Sequence, residues 1–292
     1  MPHLRRLVAM LAREALGPSR LERRPEPTAL MEESVNVEAF HDQGAASGPL
    51  LPVYRFNALA TSRLVRSGGT VLDLGSGSGQ YLAYLAARRP DLTIVGFDLS
   101  SAMVRRARSF FRDEGLAERI EMRIGDMTNF FQSVPERVDL VSSVFALHHL
   151  ESSDDLRRCL RQIAAIRERD GCAIWIFDHA RPRDPRTPEI FPEIFTPNAP
   201  LAFRNDSRNS LIASYSFDEL MRALDDAGLR SLQHRLARWM RFYQLHWMAC
   251  DDSCRRGDVG RVLWRPDVLS DSAKREFRAL RALFPDLSLV RD

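Results

Sequence analysis

Three carboxylates stand where short apolar runs end or break. Asp73 lies inside the run Thr70 to Leu74, Asp98 closes the run Thr93 to Asp98, and Asp126 follows Gly125 just beyond Ile120 to Ile124. Directly after the first run comes the loop Gly75-Ser76-Gly77-Ser78-Gly79. Glycine turns tightly and lets a ligand approach the main chain with no Cβ in the way. A charge inside a strand needs a cationic or hydrogen-bonding partner, a carboxylate at the end of the second strand can accept both hydroxyls of a ribose, and one at the third can receive the amino group of an adenine edge. Any one of these reads alone as an ordinary turn aspartate. In order, behind a glycine loop, they describe a site for an adenosine that carries positive charge and no phosphate.

The phosphate-binding alternatives fit poorly. A dinucleotide fingerprint wants its third glycine three positions after the second, where this chain has Gln80. A triphosphate-cradling loop wants Gly-Lys-Ser/Thr, and the chain's one lysine is Lys274. A second group of reactive side chains, His148, His149, Asp178, His179 and Arg181, falls after the fourth and fifth apolar runs. The three histidines are the candidate catalytic residues. Asp178 beside His179 could fix an imidazole tautomer, although neighbours on an extended strand point to opposite faces. A histidine base would make turnover fall below a pKa near 6.5.

The elements that must carry these residues alternate. Strands are expected at Thr70 to Leu74, Thr93 to Asp98, Ile120 to Ile124, Val138 to Val144 and Ala173 to Asp178, with helices at Gly79 to Arg88, Ser101 to Glu114 and Ser153 to Arg167 between them. Ser216 to Glu219 opens a further helix with capping-box spacing, ending at Gly228, and Leu229 to Leu236 with Phe242 to Trp247 form a closing antiparallel pair. The expectation is an α/β fold: a doubly wound, mostly parallel, seven-stranded sheet. Residues 1–67 read as an N-terminal helical arm or lid, 68–250 as the main domain, and 251–292 as a helical tail. Within the main domain, 182–215 is a long insertion after the fifth strand with no clear periodicity, expected to be irregular and to cover a substrate. Phe191, Phe195, Phe203, Arg204, Arg208, Asn209 and Tyr215 lie in it. On the arm, Phe40, His41, Tyr54 and Phe56 are the lid candidates.

The net charge of +3, from 42 basic and 39 acidic residues in 292, is too mild to demand a polyanionic partner. No apolar run reaches the roughly 18 residues of a membrane span. The first stretch, Met1 to Leu16, sets Arg5, Arg6 and Arg13 among leucines and a valine, which is a basic amphipathic helix and lacks the features of a signal peptide. Four scattered cysteines do not make a disulfide framework, so a reducing cytoplasm is expected. His246, Cys250 and Cys254 recur every four residues, but on a straight helix they would span about 12 Å, too far for one ion, and no metal is expected.

VLDLGSGSG (71–79), GFDLS (96–100), GDM (125–127) and VDLVSSVFALHHL (138–150) together resemble the class I S-adenosylmethionine-dependent methyltransferases, in their small-molecule branch. The resemblance covers Gly69 to about Gly228 and implies S-adenosylmethionine as cofactor. Asp73 with Gly75, Ser76, Gly77 and Gly79 would approach its methionine end, Asp98 its ribose and Asp126 its adenine, with Leu99 and Met127 as apolar walls. The reaction implied is methyl transfer to an oxygen, nitrogen or carbon of a small molecule. The same motifs would also serve a non-methyl transfer or a cyclisation that releases methylthioadenosine. A nucleic-acid acceptor is disfavoured, because residues 142–145 read Ser-Ser-Val-Phe where adenine-amino methyltransferases carry Asn/Asp-Pro-Pro-aromatic. A homodimeric assembly is left open.

Overall fold

The structure, a computed structural model, describes residues 2–18, 21–26, 34–45, 48–251 and 271–290. In chain order the elements are α1 (Pro2–Leu16), α2 (Ser34–Gln43), α3 (Leu51–Ser62), β1 (Thr70–Leu74), α4 (Gln80–Arg88), β2 (Thr93–Asp98), α5 (Ser101–Asp113), β3 (Ile120–Ile124), β4 (Leu140–Val144), α6 (Ser153–Asp170) and β5 (Ala173–His179). They continue with α7 (Thr187–Phe195), α8 (Leu201–Ala213), α9 (Phe217–Asp226), β6 (Gln233–Leu236), β7 (Tyr243–Met248) and α10 (Asp271–Leu283).

The strands form one seven-stranded sheet in the order β3-β2-β1-β4-β5-β7-β6. All neighbours are parallel except β7, which runs antiparallel to both β5 and β6. The direction of winding reverses between β1 and β4, and the crevice beyond their carboxyl ends is where such sheets bind ligands. The central strands are buried on both faces and therefore read as continuous apolar runs. Val71, Ile94, Leu140, Trp175 and Phe177 face one layer, with α3, α4 and α10. Leu72, Leu74, Val95, Val141 and Ile174 face the other, where Leu160, Ile163, Leu220 and Leu224 of α6 and α9 cover them. Both of those helices start with a capping box, Ser152 with Asp155 and Ser216 with Glu219, and α6 closes on Gly171 in the left-handed region at φ 64°. Among the described residues no helix is long and apolar enough to cross a membrane.

Two expectations change. Helix α3, read with the arm, belongs to the core: Phe56 is fully buried against Trp175, Phe177 and Phe284, so it is no lid residue, and Asn57 receives the indole N–H of Trp175 at 2.6 Å. The insertion 182–215 is not irregular. Pro188 sits in the first turn of α7, Pro192 inside it and Pro200 ahead of α8, which hid the helical pattern, and tertiary packing supplies what periodicity did not show. Met10 of α1, Phe191, Leu211 and Phe242 make a small core of their own there. Glu14 of α1 accepts the backbone N–H groups of Arg183 and Asp184 at 2.7 and 3.0 Å, fixing the entry to α7. His246 lies on strand β7, within the expected closing antiparallel pair, where it stands 2.6 Å from His234 and off any helical stripe with Cys250; Cys254 lies outside the described residues. The tail is represented by α10, whose Phe277, Leu280 and Leu283 join the core beside α3.

Candidate active site

The register sets Asp73 beside Gly96 of β2 and Ser142 of β4. Its carboxylate accepts the Ser142 hydroxyl at 2.6 Å and the Ser76 hydroxyl at 2.8 Å. A Cβ at Gly96 would meet the Ser76 hydroxyl at 2.6 Å, so glycine there keeps this arrangement possible. Burial raises the Asp73 carboxyl to about 7, against the lowering by Ser142 and Ser76. A carboxylate so placed gains from a cation brought next to it.

The loop after β1 crosses the left-handed region at Gly75, Gly77 and Gly79, with φ of 72°, 53° and 80°. A Cβ at Gly75 would stand 2.2 Å from that of Ala146, and one at Gly79 2.3 Å from the Phe111 ring. The N–H groups of the three glycines and of Ser76 are already used: Gly75 and Ser76 donate to the Phe97 carbonyl, Gly79 to that of Ser76, and Gly77 donates to Asp98 Oδ2 at 2.7 Å. The glycines therefore provide turn and clearance more than donors. Asp98 Oδ1 accepts the Ser100 N–H at 2.9 Å, which opens α5, and Asp126 Oδ1 accepts the Thr128 N–H at 2.7 Å in the turn after β3.

These residues line one cavity of about 550 Å³, a size suited to a small organic ligand. Asp73, Gly75, Ser76, Gly77, Gly79, Asp98, Leu99, Asp126 and Met127 all reach it. Phe40 of α2 covers Gly77, and α2 is tied down by Glu38 to Arg106 at 2.9 Å and by Gln80 donating to the His41 carbonyl at 2.9 Å. Tyr54 lines the cavity too.

The three histidines separate. His149 lines the cavity and its Nδ1 is 3.0 Å from Glu26 Oε2. Burial pushes His149 down, but the charge and hydrogen bond of Glu26 outweigh it and lift it to about 9. Burial raises Glu26, and His149 outweighs that in turn and brings it to about 2. His148 is buried behind the wall, with Nδ1 2.6 Å from Asp178 Oδ1, so Asp178 orients His148 and not its chain neighbour His179. His179 stacks on Phe145 at 4.4 Å and does not line the cavity; burial, with the charge of His148, lowers it to about 4. A base titrating near 6.5 is thus offered by neither His149 nor His179.

Glu26 was not legible as a site residue, nor was Phe145, a lining residue at φ 56°, an uncommon conformation for a bulky side chain. Arg23 carries Glu26 into place. Its guanidinium donates to the carbonyls of Ala213 at 2.6 Å, Glu151 at 2.8 Å and His148 at 3.2 Å, and to that of Leu150, and it lies 4.1 Å over the Tyr215 ring. On the insertion, Arg208 pairs with Glu189 at 2.6 Å, so it does not face an acceptor.

Residues 71–171 match the family described as "Methyltransferase domain". A release factor glutamine methyltransferase of Cereibacter sphaeroides is 40% identical over 85 residues, 29% of this chain and 30% of that protein. The aclacinomycin 10-hydroxylase RdmB of Streptomyces purpurascens is 38% identical over 96 residues, 32% of this chain and 25% of that protein. The chain thus spans about a quarter to a third of the length of these curated relatives. Among solved structures, the plantazolicin methyltransferase BpumL, in complex with SAH, superposes with a TM-score of 0.55 at 11% identity, covering 86% of this chain and 100% of that one. It shares the fold. Residues 71–171 thus form a methyltransferase domain, one of whose fold-mates holds SAH, and the group to test against the cavity is S-adenosylmethionine. The cavity fits such a group: Ser78 Oγ is buried on its wall without a hydrogen-bond partner, and the apolar Leu99 is 59% exposed there.

Proposed function

We propose that the whole protein transfers the methyl group of S-adenosylmethionine to an oxygen, nitrogen or carbon of a small-molecule acceptor. The observation that carries this reading is the single cavity shared by the glycine loop, the strand-end carboxylates and the Glu26–His149 pair, with Phe40 over the loop. A cavity of about 550 Å³ suits small molecules and not a polymer. The setting we propose is a reducing cytoplasm, in keeping with the buried free thiols of Cys159 and Cys172.

When bound, the cofactor supplies a methyl group already activated on a sulfonium, so positioning and exclusion of water dominate what the chain must do. Asp73 would hold the amino group of the methionine end, Asp98 the ribose hydroxyls and Asp126 the adenine edge, with Leu99 and Met127 against the ring. At the acceptor end His149, lifted to about 9, is an imidazolium at neutral pH. It donates a hydrogen bond to an acceptor oxygen and stabilises negative charge there. Phe145, propped by His179, gives the acceptor an apolar floor.

A second reading keeps the cofactor and changes the reaction, because a relative sharing this segment bears the name of a hydroxylase. One experiment decides between them. The purified chain is incubated with S-adenosylmethionine and a small-molecule extract, and the nucleoside product is identified by mass spectrometry. S-adenosylhomocysteine together with an acceptor heavier by one CH₂ is expected; methylthioadenosine, or turnover without a methylated acceptor, overturns the methyl-transfer reading.

A further inference from the structure

We propose that Glu26, His148 and His149 form a binding site for one divalent first-row transition-metal ion in the wall of the cavity. One donor atom from each lies within 4.8 Å of a donor atom of each of the others. Donors held 2.0–2.2 Å from an ion stand roughly 3 to 4 Å apart, so small side-chain rotations close the set. Two imidazoles and one carboxylate suit zinc, iron, cobalt or manganese and leave coordination positions open. No metal-ligand spacing in the sequence points to this trio, because Glu26 reaches it from the N-terminal segment.

Two features single the trio out from an ordinary ion pair. The Glu26 side chain is 5% exposed, one of its oxygens faces His149, the Ser210 hydroxyl also interacts with the carboxylate, and Oε1 is buried without a hydrogen bond of ordinary geometry. Such an oxygen is destabilising unless something coordinates it. His148 is oriented as metal-binding histidines are: Asp178 Oδ1 sits 2.6 Å from its Nδ1, and Asp178 Oδ2 accepts its backbone N–H at 3.1 Å. A carboxylate on Nδ1 fixes the tautomer that leaves Nε2 with a lone pair. Arg23 fixes the backbone that bears Glu26, so the third ligand arrives on a held segment.

Glu26 and His149 line the cavity, so the open coordination positions would face it. An ion there would take the place of the His149 proton and, in its stead, bind an acceptor hydroxyl or adjacent oxygens and stabilise the deprotonated form. This use rests on the methyl-transfer reading; ion binding does not.

The test is a cobalt(II) titration of the full-length, metal-stripped chain, followed by visible absorption, with thermal melting and S-adenosylhomocysteine affinity as checks that each variant is folded. One equivalent should bind with ligand-field bands and no thiolate charge-transfer band. Glu26→Gln and His149→Gln should each weaken cobalt at least tenfold while keeping S-adenosylhomocysteine affinity, and Asp178→Asn should weaken it about 10- to 100-fold. If Glu26→Gln does not fold, His149→Gln, on the cavity wall, carries the comparison. No binding at one equivalent, or unchanged affinity in both ligand variants, overturns the proposal. Cobalt bound without any S-adenosylhomocysteine affinity would count against the proposed reaction and leave the metal site standing.

Discussion

His149 Nδ1 stands 3.0 Å from Glu26 Oε2, although one residue follows β4 and the other belongs to an extended N-terminal segment. The contact exists because Arg23 binds the carbonyls of His148, Glu151 and Ala213, tying that segment across both the turn after β4 and the end of α8. The acceptor end of the cavity is therefore assembled from three distant stretches of chain.

The pair should make stability depend on pH in a definite direction. His149 is raised from 6.5 to about 9, so its contribution is full below 6.5 and lost as pH rises through 9. Glu26 is lowered from 4.5 to about 2, so its contribution is full above 4.5 and lost as pH falls through 2. In metal-stripped protein Glu26→Gln should cost about 1–3 kcal/mol between pH 5 and 7 and much less above pH 9. Thermal melts of both proteins across that range check it; a difference independent of pH would contradict the pairing.

Asp73 has the opposite sign to Glu26. With the folded carboxyl raised from 3.8 to about 7, the native state keeps a proton that the unfolded chain releases, so this group's contribution to stability falls between those values as pH rises. Ligand binding runs the other way, since an ammonium favours the ionised carboxylate. S-adenosylhomocysteine should bind more tightly at pH 8 than at pH 6, and Asp73→Asn should both weaken binding and flatten the slope. An equal slope in the variant would assign it to another group.

Two glycines with similar backbones but different surroundings test the loop. Gly75→Ala places a Cβ 2.2 Å from Ala146 at φ 72°, whereas Gly68→Ala has φ 67° and meets nothing within 4 Å. Both should lose about 1–2 kcal/mol to the left-handed conformation. Only Gly75→Ala should also abolish S-adenosylhomocysteine binding, read by calorimetry on the folded variants.

The histidines should separate kinetically. His149→Ala is expected to lower turnover about 100-fold or more with cofactor affinity nearly unchanged. His179→Ala should act mildly and through the acceptor KM, because that ring props Phe145. Equal effects, or turnover in the native enzyme that falls off below pH 6.5, would return a histidine base to the mechanism.

What could be read from the chain was local. The strands that carry Asp73 and Asp98, and the one that precedes Asp126, are short runs bounded by turns, so their ends, and the residues there, follow from the pattern. What could not be read came from packing between distant segments. Prolines 188, 192 and 200 masked α7 and α8, which form because α1 and Phe242 cover Phe191 and Leu211. Asp178 looked like a partner for His179, but the turn at Leu147–His149 brings His148 across to it. Phe56 looked like a lid because its helix precedes the first strand, and only the tertiary fold places that helix against Trp175.

The central claim is that the cavity behind the glycine loop holds S-adenosylmethionine through the carboxylate ending β2. Calorimetric titration of S-adenosylhomocysteine into the native chain and into Asp98→Ala tests it most directly. The account predicts one ligand per native chain and an affinity weaker by roughly 2 to 4 kcal/mol in the variant, since ribose hydroxyls lose a charged acceptor and the Gly77 N–H loses its partner at 2.7 Å. No binding to the native chain, or equal affinity in the two, would contradict it.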